Sequence, residues 1–332
     1  MRNSNIEIVR FLSMAMIIIG HLIGFGVIYH YHFENFDSTG FALVCLKVIT
    51  GYGVNLFVFI SGYYRIRLSL RSVTKLYFYM VFYQLILCAL GRYALATDMG
   101  SFAGCFFPFS HARYWFIQSY FMLMLLSPIL NAAIKHISWK KVIIPMAILV
   151  FYFGLLFGNP IDDSGFGYFN MTFVYLLAGY LSKTDLKSAK FYFLCYIAAC
   201  VLEGIVIGMH YYFDTKLTDS YNNPLNIASA AFLFMSFAAL PIRNNRFINH
   251  VAKSVFAMYL IHETKCIGPK LHDYIYYQFQ SGGVELAVVC TLILVIIIAL
   301  VSVCFDQLRI FLQNNLLEKI LSKSFCAKKD NI

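Results

Sequence analysis

Residues 8–26 read IVRFLSMAMIIIGHLIGFG and residues 288–304 read VVCTLILVIIIALVSVC. These two runs decide the class of the fold. Each is a continuous apolar stretch close to the ~20 residues a helix needs to cross a hydrocarbon core about 30 Å thick. Neither alternates as a lipid-facing β-strand does, and both are too long for one strand. Over all 332 residues, 60% are hydrophobic and 13% charged, with a mean hydropathy of +0.70; an ordinary soluble domain carries about 25% charged residues. Too little polar surface remains to coat a water-exposed globule, which excludes a soluble enzyme. The chain reads as an all-α integral membrane protein.

Working outward, charged or turn-rich punctuation divides the sequence into about ten transmembrane helices. They lie near residues 8–30, 43–63, 76–95, 113–134, 142–158, 168–182, 190–213, 223–241, 254–270 and 283–306. The net charge of +10, from 26 Lys and Arg against 16 Asp and Glu, would suggest nucleic acid in a soluble chain. Here it follows topology, because short cytoplasmic loops retain basic residues. Arg2, the even-numbered connections (Arg65, Arg67, Arg71, Lys75; Lys135, Lys140, Lys141; Lys183, Lys187, Lys190; Arg243, Arg246, Lys253) and the tail (Arg309, Lys319, Lys323, Lys328, Lys329) hold 19 of the 26. The odd-numbered connections hold Lys216 and the acids Glu34, Asp37, Asp98, Asp162, Asp163, Asp214 and Asp219. Both termini are therefore expected in the cytoplasm. Arg10, Lys47, Arg92, Arg113, Lys265 and Lys270 fall within or at the ends of spans.

The first apolar run continues past His21 without a small-residue cleavage site, so it reads as a retained span. The nine cysteines are scattered, include Cys326 in the tail, and form no C-x-x-C pair; they read as small apolar packing residues. No repeat or soluble appendage is visible. Residues 1–332 are expected to form one transmembrane domain with no fused extracytoplasmic domain.

An ionisable side chain at membrane depth costs about 2.5–3.5 kcal/mol on insertion scales, so each such residue is a candidate site. Arg10 and His21 are 11 residues apart, close to three helical turns, and so share one face at a separation of roughly 16 Å. The structural alternative is an arginine reaching to headgroups and a histidine bridging helices. The second span ends FVFISGYYRIR: Ser61 and Gly62 interrupt the helix before Arg65 and Arg67. Paired guanidiniums suit phosphate, although taken by themselves they are explained better by a positive-inside anchor. The fourth span opens with Trp115 in an interfacial aromatic pair, and Gln118, Ser119 and Asn131 offer interhelical polar contacts. The ninth places His262, Glu263 and Lys265 in an otherwise apolar helix, which favours a water-accessible site or an ion pair to Glu203 or another span.

Taken together and in order, NIEIVRFLSMAMIIIGH, FVFISGYYRIR, YWFIQSYFMLMLLSPILN, YLLAGYLSK and YLIHE make the chain resemble the membrane-bound acyltransferase type 3 family, bacterial enzymes that acylate cell-surface carbohydrates. The resemblance implies a bacterial cytoplasmic (inner) membrane location. It implies an acyl group, acetyl above others, taken from cytoplasmic acetyl-CoA and delivered to a hydroxyl of a cell-surface or lipid-linked polysaccharide. Expected partners are acyl-CoA, the carbohydrate acceptor, membrane lipid and other polysaccharide-assembly proteins, with no nucleic acid and no metal.

Physical chemistry suits that role. A cytoplasmic Arg cluster could hold the phosphate-bearing head of the donor while its thin arm threads toward His21. Arg65 and Arg67 are assigned to that head, with Ser61, Gly62 and Tyr63 along its route. His21 is the candidate general base, able to take the hydroxyl proton as oxygen attacks the thioester, or alternatively to carry the acyl group itself. Arg10 would orient donor phosphates or support local polar geometry. His262, Glu263 and Trp115 are assigned to the acceptor. A polysaccharide polymerase or flippase is the rival reading. A polymerase would show a long outer loop bearing Arg or His, and a flippase a cationic cavity spread over many helices; the outer connections here are short and acidic.

Overall fold

The computed structural model describes residues 3–33, 37–109, 114–156, 165–214 and 220–317. Arg2, Glu34, Arg113, Asp162, Asp163, Lys216, Asp219, Lys319, Lys323, Cys326, Lys328 and Lys329 lie outside the described residues. Every regular element among the described residues is helical: α1 (Ser4–Gly26), α2 (Ser38–Gly51), α3 (Gly53–Tyr64), α4 (Leu70–Tyr93), α5 (Trp115–His136), α6 (Trp139–Ala147), α7 (Tyr168–Leu181), α8 (Ala189–Phe213), α9 (Pro224–Ala238), α10 (Arg246–Val251), α11 (Val255–His262) and α12 (Gly268–Leu312). Among the described residues, six helical stretches are long and apolar enough to cross a membrane: Ser4–His30, Ser38–Tyr64, Leu70–Tyr93, Trp115–His136, Ala189–Phe213 and Gly268–Asn315. Only 22% of the apolar window of α8 and 33% of that of α12 is buried. Leu194, Val201, Leu202 and Ile205 on α8 and Ile293, Ile296, Ile297 and Leu300 on α12 thus present hydrocarbon outward. A continuous exposed apolar face of this kind belongs against lipid. The chain is an all-α membrane protein.

The other four expected crossings are shorter pieces. α7 has 14 residues, about 21 Å at 1.5 Å per residue, and α9 has 15. α6 runs into a π-helical segment, Ile148–Leu156. The ninth expected span, 254–270, is not one helix: α11 ends at His262, a turn follows, and α12 starts at Gly268 with Pro269 in its first turn. Proline disfavours helical geometry in the residue before it and starts a helix well, so Gly268–Pro269 sets this boundary. At 45 residues α12 would be far longer than the bilayer is thick. It breaks at Gly282 and at Gly283, whose φ of 70° favours a residue without Cβ. The tenth expected span thereby begins where that break leaves off.

The interior is built around α1, α3, α7, α9 and α11, all carrying fully buried apolar side chains. Close helix contact in a membrane relies on small residues. A Cβ on Gly62 would lie 2.4 Å from the Tyr175 carbonyl oxygen, so α3 and α7 meet backbone to backbone. On α1, Ser13 Oγ donates to the Gly53 carbonyl at 2.6 Å, which fastens α1 to the start of α3.

Some of the connections expected on one side touch in pairs. Ser4 Oγ donates to Asn244 and Asn249; Asn131 Nδ2 donates to the Ile66 carbonyl, and Lys183 to that of Ile134. Between α1 and α2, Tyr31 Oη donates to Asp37 at 2.6 Å; in the interior, Asn55 Nδ2 donates to the Tyr221 carbonyl at 2.7 Å. Outside the spans, burial and the Asp37 carboxylate push the Tyr31 phenol up to about 12. One basic residue departs from the expected pattern. Arg309 is no loose tail charge: it is buried in α12, Nε donating to Asp306 at 2.6 Å, because its counter-ion lies one helical turn away.

Candidate active site

Three ionisable side chains meet beside the C-terminal half of α1. α1 carries His21 in its fifth turn, and α11 ends on His262 and Glu263. His21 Nδ1 lies 2.7 Å from Glu263 Oε2 and 3.0 Å from His262 Nε2. His262 Nδ1 lies 2.8 Å from the Met258 carbonyl oxygen. Sequence reading separates His21 from the His262–Glu263 pair; the fold joins them. Glu263 closes the last turn of α11, its amide still donating to the Tyr259 carbonyl, and from there its side chain reaches His21 on α1. Lys265, expected beside them, sits exposed in the turn beyond. Glu203 does not pair with them; it is buried on α8 and accepts from Ser229 Oγ at 2.9 Å.

The partners assign the tautomers. A carbonyl oxygen only accepts, so His262 Nδ1 carries a hydrogen and its Nε2 presents a lone pair. A carboxylate also only accepts, so His21 Nδ1 carries a hydrogen and donates to Glu263. In the neutral ring His21 Nε2 is then left with a lone pair. A histidine held at one nitrogen by a carboxylate, with the other free, is the arrangement of a general base. The side chains of His21 and Glu263 are 17% and 27% exposed, whereas that of His262 is 0% exposed. The working pair is reachable, and His262 backs it from the core. The same three ligand atoms lie within 4.8 Å of one another, a grouping that could also hold a divalent ion.

The surroundings are aromatic. Tyr259 meets His262 edge to face at 5.8 Å and packs on Phe116 at 5.7 Å. Phe25 sits 6.0 Å from His21 and 5.0 Å from His272, whose Nε2 is buried with no hydrogen-bond partner among the described residues. Trp115, at the start of α5, packs with Phe166 at 4.7 Å and Tyr221 at 5.9 Å. Trp115 therefore belongs to an aromatic cluster next to the site, connected to it through Phe116 and Tyr259, and does not touch His21.

Beneath the site, a cavity of about 190 Å³ is lined by Arg10, Phe57, Ile60, Ser61, Leu76, Phe116, Tyr120 and Phe256. Arg10 Nη1 donates to both oxygens of Glu7, at 3.0 and 2.8 Å. Its charge is balanced within its own helix turn, and Glu7 is a partner that sequence reading passed over. At the basic end of the bundle, Arg65 and Arg67 line a cleft of about 510 Å³ with Tyr64, Asn131, Ala132, Lys135 and His136. This size is within the range of small-molecule sites. Arg65 takes a φ of 57°, costly for a residue with a Cβ. Such strain is found where a position is held for its side chain.

The residues proposed between cleft and site divide. Ser61 faces the cavity. Gly62 presses against α7, and Tyr63 packs on Phe234 of α9 at 4.8 Å, so neither lines the cavity with Arg10. Lys135 and His136 join the cleft from α5, a contribution that the Arg-x-Arg motif alone does not reveal.

No curated protein and no solved structure matches the chain. A family model does: that of the acyltransferase domain matches residues 3–305. It covers both helices that build the His21–Glu263 pair and the arginines of the basic cleft, and the chain belongs to the acyltransferase type 3 family.

Proposed function

We propose that this acyltransferase takes an acyl group, acetyl above others, from acetyl-CoA in the cytoplasm and delivers it to a hydroxyl of a cell-surface or lipid-linked polysaccharide. The observation that carries this reading is the 2.7 Å contact between His21 Nδ1 and Glu263, which leaves Nε2 free as a base. The protein is placed in the inner membrane of a bacterium. About ten crossings are proposed, with both termini cytoplasmic and residues 1–332 forming one domain, the shorter helices completing the bundle beside the six long ones. The segregation of basic residues supports that orientation.

In this reading the cleft of Arg65, Arg67, Lys135 and His136 holds the phosphates of the donor. The cavity with Ser61 and Arg10 accepts its arm, Arg10 acting as a positioning residue. The acceptor sugar approaches from the opposite end, past Trp115 and Tyr221. His21 Nε2 removes the hydroxyl proton as the oxygen attacks the thioester carbonyl. The carbon–sulfur bond breaks, and the imidazolium returns the proton to the departing thiolate. Glu263 holds the imidazole in the required tautomer and balances its transient charge, while His262 fixes the pair from behind. A sugar hydroxyl is a poor nucleophile until it loses its proton, and a positioned base contributes about 10²–10⁴-fold.

Membrane vesicles of defined orientation test this directly. Labelled acetyl-CoA supplied at the face bearing Arg65 should label a carbohydrate acceptor at the other face. Use of the donor from the opposite face would contradict the proposal.

Two further outcomes follow. Arg65→Gly relieves the backbone at φ 57°, so the variant should be at least as stable as the parent. It should also raise KM for acetyl-CoA by about 10-fold or more, the value of one hydrogen bond to a charged group being about 1.5–3 kcal/mol. Unchanged donor KM would remove Arg65 from the donor site. The chemistry is also proposed to need no metal, so chelation should leave the rate unchanged. Loss of activity restored by a divalent ion would instead put His21, His262 and Glu263 around that ion.

A further inference from the structure

Resting on the acyl-transfer reading, we propose that the hydroxyl of Tyr259 donates the hydrogen bond that stabilises the thioester carbonyl oxygen as it becomes an oxyanion. Tyr259 is 2% exposed, and its Oη has no hydrogen-bond partner among the described residues. Leaving a buried hydroxyl unpaired is costly, because it has been stripped of water without compensation. Most buried hydroxyls in this protein do find partners: Tyr52 and Tyr196 pair at 2.5 Å, Tyr83 donates to Asp306, and Tyr114 donates to the Leu260 carbonyl.

The position of the unpaired group says what it awaits. Tyr259 lies on α11 three residues before His262, and its ring stands edge to face against that imidazole. Glu263, Tyr114 and Tyr221 are the ionisable side chains around it, and it faces the first-turn amide of Phe116 without reaching hydrogen-bond geometry. The cavity that contains Arg10 and Ser61 is lined at α5 and α11 by Phe116 and Phe256. Phe116 packs on the Tyr259 ring, and Phe256 lies one helical turn before it. Tyr259 does not itself line that cavity; a donor arm rising through it brings the thioester to the Tyr259 hydroxyl, and on to His21, once the Phe116 ring packed over Tyr259 gives way.

When the acceptor oxygen bonds to the carbonyl carbon, the carbonyl π-electrons move onto oxygen. The resulting oxyanion is the acceptor that Oη lacks in the free protein. As the intermediate collapses, those electrons re-form the carbonyl and the carbon–sulfur pair leaves with sulfur. Tyr259 keeps its proton throughout; His21 moves the proton of the acceptor. A donor satisfied only in the transition state raises kcat without tightening substrate binding.

The test is Tyr259→Phe in the full-length protein, assayed in vesicles with acetyl-CoA beside the parent protein and His21→Ala. Removing one oxyanion donor costs about 10²–10³ in rate, so kcat should fall by about 100-fold. KM for acetyl-CoA should be nearly unchanged, and the melting temperature equal or higher, since the folded protein loses no bond. An unchanged kcat would overturn the proposal, and so would a lowered melting temperature or failure to insert, either of which would make the hydroxyl structural. Full activity in Tyr259→Phe with none in His21→Ala would overturn the role of Tyr259 and leave the acyl-transfer reading intact. Absence of transfer by the parent protein would overturn both.

Discussion

His21→Ala should reduce acyl transfer by about 1,000-fold or more while the protein remains inserted, since a positioned base supplies about 10²–10⁴-fold. The substitution removes the one side chain on α1 that presents a free basic nitrogen beside a carboxylate. Its expected effect on folding is small by comparison. His21 is partly exposed and its polar contacts are with Glu263 and His262; Glu263 stays open to water, and His262 keeps its bond to the Met258 carbonyl. Retained protein in the membrane with lost turnover is the expected pattern. Full turnover in a stably inserted His21→Ala protein would remove the proposed chemistry. Added imidazole offers a further check: partial restoration of rate would show that the missing element is the base and not the packing of α1.

Glu263→Gln should have the next largest effect. The substitution keeps the size of the side chain but removes its charge and lets its amide nitrogen donate. His21 Nδ1 then keeps only the His262 Nε2 lone pair as a dedicated acceptor, and the tautomer that leaves Nε2 basic loses much of its preference. In hydrolases built on a carboxylate–histidine pair, the same exchange lowers kcat by about 10⁴-fold; here a loss of about 100-fold or more is expected, because His262 still helps to orient the ring. Lys265→Ala, on an exposed side chain two residues further on, should leave the rate near that of the parent. Equal losses from both substitutions would indicate a disturbed turn after α11, and no loss from Glu263→Gln would separate Glu263 from the chemistry.

Much of the architecture was legible because lipid enforces it. The apolar runs around residues 8–26 and 288–304 became α1 and the second half of α12, and the one-face spacing of Arg10 and His21 survived because α1 is continuous. What local patterning could not show was contact between distant segments. His21 and His262 are 241 positions apart, and nothing in the periodicity of either helix reports that their faces meet. The reading of 254–270 as one span gave hydropathy more weight than Gly268–Pro269. In fact the proline starts a new helix, and α11 ends on the two residues that complete the site.

Other misreadings have equally local causes. Arg309 was counted with the tail because a basic residue after a long apolar run signals the membrane edge. Asp306, one turn earlier, neutralises it and lets it stay buried. Glu7 does the same for Arg10, and an i,i+3 acid–base pair is a signal that sequence reading could have used. Gly62 and Tyr63 were assigned to the donor route from adjacency to Ser61. On a helix, however, neighbours in sequence point about 100° apart, and only Ser61 faces the cavity. Tyr259 was hidden inside the YLIHE segment, because a buried tyrosine looks like packing until its hydroxyl is found without a partner.

The most direct test of the central claim is the mass of the surface glycan from cells carrying the parent gene, the His21→Ala gene or no gene. The account predicts a glycan repeat heavier by one acetyl group with the parent gene alone, and the same unacylated repeat in the other two. A glycan that gains the acetyl group with His21→Ala, or one that changes chain length without any acyl increment, would contradict it.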